Sequence, residues 1–73
     1  TPAYTLHHPA DPEPHRIHAD HLGTLHVAFG LLPAALSRRM SAVVERALLD
    51  GVRSNPERDE WGYGDWTLRR EEP

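Results

Sequence analysis

The residues with the most chemical capacity in this chain are its histidines. All six, His7, His8, His15, His18, His21 and His26, fall within the first 26 of 73 residues. Around them the side chains alternate: Ile17 and Ala19 stand between Arg16, His18 and Asp20, and Leu25, Val27 and Phe29 stand between Thr24, His26 and Ala28. Alternation of this kind marks a half-buried strand. The intervening His21-Leu22-Gly23 fits a three-residue hairpin loop with glycine in the left-handed position of a bulge. The register this implies opposes Asp20 to Thr24, Ala19 to Leu25, His18 to His26 and Ile17 to Val27, with the apolar residues of these pairs on one face. His18 and His26 then lie directly across from each other with Asp20 beside them. Two imidazoles and a carboxylate are a ligand set that zinc accepts with one position left open. The alternative is a solvated sheet face that carries histidines and no cofactor. No spacing of the H-E-x-x-H kind supports the metal, so the sequence favours the solvated face.

A second constellation lies further along. Pro33 is tolerated in a first helical turn, and Leu32, Leu36, Met40, Val43, Val44, Ala47 and Leu48 recur at spacings that give one broad apolar arc. Gly51 follows as a C-cap. On a single helix over Pro33–Asp50, Arg39, Arg46 and Arg53 line up seven apart, with Ala35, Ala42 and Leu49 in a row beside them. The surface Ala35, Arg39, Ala42, Arg46 and Leu49 faces away from that arc. Arginine is enriched at interfaces, so this face suits a protein partner, the remainder of a parent chain or, weakly, a second copy. The sequence favours plain solvent surface over that reading, because single exposed apolar residues are common.

The third feature is aromatic. Trp61 and Tyr63 stand among Gly62 and Gly64, ahead of Trp66, and aromatics beside glycines can make a flat stacking platform for a base, a sugar or a proline-rich segment. The competing expectation is that Trp66 packs in the core and Trp61 covers its edge.

Covalent catalysis has little to work with. There is no cysteine, the serines at 37, 41 and 54 lack a G-x-S-x-G or S-x-x-K setting, and no glycine-rich phosphate loop is present.

The elements that must position these groups can be read from the same patterns. Tyr4–His7 reads as a short strand and 9–14 as a proline-rich loop. The hairpin and the helix come next, then a charged stretch over Glu57–Glu60, a strand over Trp66–Arg69 and a polar tail over 70–73. The expected fold is α+β, in the order β–ββ–α–β, with the helix on one face of a small antiparallel sheet. Its core sets Ile17, Ala19, Leu25, Val27 and Phe29 against Leu36, Met40, Val43 and Leu48. The strands at Tyr4–His7 and Trp66–Arg69 are the expected open edges.

Length and charge bound the rest. Residues 1–73 make one domain, which at this size buries only about 60% of its unfolded surface, so an enclosed catalytic cleft is not expected. A net charge of −3 and a pI of about 6.0 disfavour general affinity for nucleic acid. No apolar run reaches the roughly 18 residues of a membrane span, and no signal peptide is recognisable, which suits a cytoplasmic protein. All eight basic residues are arginine, a bias associated with GC-rich bacterial genomes. A chain opening on Thr1 reads as a terminal module of a longer protein. Together these features point to a non-catalytic accessory or protein-interaction domain. The alternative is a small metal- or ligand-binding module that uses the histidine-bearing hairpin or the glycine-aromatic segment.

Overall fold

Ile17 does pair across a hairpin, but with Tyr4 and not with Val27. The structure, a computed structural model, describes residues 3–19 and 22–71. Strands β1 (Ala3–His8) and β2 (Asp11–His18) form the first hairpin. Three helices come next, α1 (Leu22–Gly30), α2 (Ala34–Ser37) and α3 (Ala42–Ser54), and a second hairpin, β3 (Glu60–Tyr63) and β4 (Trp66–Glu71), ends the chain. The four strands make one antiparallel sheet in the order β2-β1-β4-β3. The class is α+β, with helices packed against a small antiparallel sheet. The expected element order differs in detail, because one hairpin precedes the helices and one comes after them.

The proline segment is not a loop throughout. Pro9 and Ala10 make the turn, Ala10 N–H donates to His8 Nδ1 at 3.0 Å, and Glu13 N–H donates to Asp11 Oδ1 at 3.1 Å. Leu6 opposes His15 and His8 opposes Asp11, so Pro12, Glu13 and Pro14 together stand opposite the single residue His7. Prolines lack the donor that a ladder needs and are accommodated at irregularities of edge strands; β2 is an edge and carries one. The expected open edges, Tyr4–His7 and Trp66–Arg69, are instead the two central strands, and β2 and β3 hold the rims. Arg70 and Glu71, placed in the polar tail by sequence, are the last residues of β4.

Residues 22–30 form a helix because the letters that alternate as a strand also satisfy a helical period. Leu22, Leu25, Phe29 and Leu32 recur at three and four, and Leu25, Phe29 and Leu32 are buried. The helical reading gains Leu22 and Leu32 for the inner side, whereas the strand reading leaves His15 beside Phe29. Val27 is the residue it turns outward, at 60% exposure. Val27→Asp should therefore leave stability within about 0.5 kcal/mol, as surface changes do. Leu25→Asp buries an unpaired charge, costs several kcal/mol and should unfold the domain. Urea denaturation of the two variants checks this; similar losses in both would restore the strand.

The single helix expected over Pro33–Asp50 is two. Arg38–Ser41 interrupts it, and Ser41 caps α3: its Oγ accepts from Val44 N–H at 3.2 Å. The break shifts the helical phase of α3 relative to α2. Leu48 is buried, Val44, Leu49 and Val52 pack against the core, and Val43, expected inside, is 62% exposed. Gly51 is not a C-cap, because α3 continues to Ser54. Its hydrogen lets Trp61 approach: a Cβ there would lie 3.1 Å from Trp61 Cδ1.

One core joins both layers. Tyr4, Leu6 and Ile17 of the first hairpin and Trp61, Trp66 and Leu68 of the second meet Ala19, Leu25, Phe29, Leu32, Leu36 and Leu48. The other face of the sheet is polar. Arg16, Thr5, Arg69 and Glu60 form one row across it, with Arg69 bonded to Glu60 Oε2 at 3.0 and 3.1 Å. No helix among the described residues is long and apolar enough to cross a membrane.

Candidate functional site

Two concave surfaces hold His26, Arg39, Arg46, Leu49 and Tyr63 of the residues singled out by chemistry. The first is a groove of about 260 Å³ between α1 and α3, lined by Leu22, His26, Arg46, Leu49, Asp50 and Arg53. Its walls are set by helix phase. Leu22 and His26 stand four apart on α1; Arg46, Leu49 and Arg53, at three and four, make one stripe of α3. His26 Nδ1 lies 3.3 Å from Glu45 Oε1 and ties the helices together at one side. Arg46 Nε lies 3.9 Å from Asp50 Oδ2, one turn on. Arg53 has no charged partner among the described residues. The groove thus has a leucine floor, two guanidinium groups on its rim and one carboxylate that offsets part of their charge.

The second is an open cavity of about 400 Å³ where the helix layer stops short of the β3–β4 turn. Trp66 and Val44 form its apolar wall, with His8, Arg39, Tyr63 and Asp65 around them. The turn is Gly64-Asp65, and Gly64 has φ +59°, a first central position at which the primed hairpin turns require glycine or its equivalents.

These two surfaces redistribute the residues expected from sequence. The zinc arrangement depended on a hairpin that does not form. His18 lies exposed on β2 opposite Ala3, His26 is on α1 against Glu45, and Asp20 is outside the described residues. Among the described residues no three His, Asp or Glu side chains are grouped to hold a metal. His7 and His8 lie on opposite faces of the sheet: His7 bonds to Thr5 Oγ1 at 3.1 Å on the polar face, and His8 packs tilted against Trp66, ring centroids 4.5 Å apart.

The expected interaction surface is also divided, because its seven-residue spacing assumed one helix. Ala35 lies on α2, Arg39 in the turn after it and Ala42 at the first position of α3, all exposed. Arg46 and Leu49 belong to the α1–α3 groove, and Leu49 also packs against the core instead of standing clear of it. Of the stacking pair, Trp61 is buried and is not a platform. Its ring meets Tyr4 at 6.2 Å, Arg70 lies 5.1 Å over it, and its Nε1–H donates to Asn55 O at 3.1 Å. Tyr63 is exposed and lines the cavity beside Trp66.

No family model matches this chain, and no curated protein or solved structure matches it. Arg46 and Arg53 were expected beside Leu49, but His26 and Asp50 were not expected to share a groove with them. The signal was present as Leu49 and Arg53 four apart, but the companion face of α1 was hidden by its resemblance to a strand.

Proposed function

We propose that this domain is a non-catalytic interaction module, and that the α1–α3 groove takes an acidic partner segment anchored by an apolar side chain. The observation that carries this reading is Arg53, a guanidinium without a charged partner among the described residues, beside Arg46 over the Leu22–Leu49 floor. Arginine presents planar donors in a fork that matches carboxylates, and an apolar floor with a charged rim is the usual anatomy of a protein contact. A second feature favours the same class of function. Helix α1 carries no Asp, Glu, Lys or Arg, and on its outer side Val27 and Leu31, immediately beyond its end, are 60% and 77% exposed.

The test is fluorescence anisotropy of a labelled peptide in which leucines alternate with glutamates. Weak, saturable binding is expected, lost when the leucines become serines and reduced by added salt. Sedimentation equilibrium without peptide reads the competing occupant. A chain that dimerises at these concentrations and then ignores the peptide would replace the acidic segment with a second copy. Equal binding of the serine peptide would overturn the reading directly.

A further inference from the structure

The cavity at the β3–β4 turn has a different chemistry from the α1–α3 groove and shares no lining residue with it. We propose that it is a binding site for a small zwitterion, a free α-amino acid with an apolar side chain. Three observations converge on that class.

The first is a pair of opposite charges. Arg39 and Asp65 line the same cavity, yet neither is within ion-pair distance of the other or of any charged group among the described residues. Arg39 is nonetheless held. Its Nη1 donates to Ala35 O at 2.9 Å, which fixes the arm and leaves the remaining guanidinium donors for a carboxylate. Asp65 sits in a tight two-residue turn next to Gly64 and supplies an acceptor for an ammonium.

The second is a fixed imidazole. His8 Nδ1 accepts the Ala10 N–H, so the neutral ring carries its proton on Nε2 and offers a donor. Its ring is steadied against Trp66. His8 and Arg39 therefore both act on the anionic end of a ligand, and Asp65 acts on the cationic end.

The third is the wall and the size. Trp66 is buried and Val44 half-buried, so the apolar surface at the back of the cavity is held in place by the core. At about 400 Å³ the cavity stands near the low end of ligand sites, which run from roughly 300 to 1,000 Å³. That suits a single amino acid better than an extended chain. An α-amino acid brings its two charges on one carbon and directs its side chain away from both, in keeping with charged groups at the mouth and an apolar wall behind.

The experiment uses amide and indole proton shifts of the ¹⁵N-labelled chain, titrated with L-leucine, N-acetyl-leucine and leucinamide. L-Leucine should shift the Trp66 indole and the Gly64 and Asp65 amides, saturating in the millimolar range. Masking the ammonium or the carboxylate should each weaken binding about tenfold, as loss of one charge-assisted contact does. Arg39→Gln should abolish the advantage of leucine over leucinamide, and Asp65→Asn its advantage over N-acetyl-leucine. Both side chains are exposed, so the remaining spectrum should keep its dispersion. Equal binding of all three ligands, an absence of shifts with leucine, or shifts confined to Leu22, His26 and Arg53 would each overturn the proposal.

Discussion

Leu68→Ala should lower the midpoint of thermal unfolding by at least about 12 °C. Leu68 lies in a central strand with no exposed surface, opposite Leu6 on one side and Trp61 on the other. A cavity there is walled by both sheet neighbours and by the helix layer, so it collapses poorly. Leucine-to-alanine changes at such sites cost about 3–5 kcal/mol, and each kcal/mol moves the midpoint by roughly 4–8 °C in a domain of this length. The whole domain is stabilised by about 4–11 kcal/mol on the usual per-residue scale, so this one change removes a large share. Thr67→Ala is the comparison: it sits on the polar face opposite His7 and Gly62 and should cost less than about 1 kcal/mol. Differential scanning calorimetry of the three proteins checks the ordering; equal midpoints for Leu68→Ala and the parent would mean the core lies elsewhere.

Trp61→Ala should cost about as much, roughly 3–5 kcal/mol, by a different route. Trp61 is the link between an edge strand and α3. Its ring packs where Gly51 leaves room, its Nε1–H satisfies the carbonyl of Asn55 just past the end of α3, and Arg70 covers its outer side. Trp61→Phe keeps most of the apolar contact and loses the donor, which leaves a smaller loss of about 1–2 kcal/mol. Because β3 has only β4 as a neighbour, amide exchange at Tyr63, which pairs with Trp66 across the turn, should rise in Trp61→Ala before the central strands open. Uniform loss of protection across all four strands, at the same stability, would deny Trp61 this local role.

Much of the architecture is legible in the residues, and the failures have identifiable causes. Tyr4–His7 and Trp66–Arg69 read as strands because their apolar residues alternate, and both lie within strands. Their place at the centre of the sheet was not legible, since strand order depends on which hairpins form. Residues 22–29 carry two periods at once. Leu25, Val27 and Phe29 satisfy a repeat of two, while Leu22, Leu25 and Phe29 satisfy one near 3.6, and pairing of Ile17 with Tyr4 decides for the helix. The opposed placement of His18 and His26 went with that hairpin. The break at Arg38–Ser41 was available in Ser41, a strong capping residue, but the apolar arc runs smoothly across it from Leu36 to Val44. Treating the arc as continuous put Val43 inside and Leu49 outside, the reverse of their places. Gly51 looked like a terminator because its partner, Trp61, lies ten residues away on another element.

The proposed groove inherits its charge from Arg46 and Arg53, and a charge swap tests it most directly. Arg46→Glu with Arg53→Glu leaves the leucine floor untouched, and both side chains are exposed, so the fold should persist. Exposed pairs contribute about 0.2–1 kcal/mol each, and reversal turns each attraction into repulsion. The reversed domain should therefore bind the leucine–glutamate peptide at least about fourfold more weakly than the parent. It should bind a leucine–lysine peptide more tightly than the parent does. Anisotropy titrations of both proteins with both peptides give the four constants. Crossed preferences are the result the groove predicts; a reversed domain that still prefers the glutamate peptide by the parent's margin would contradict it.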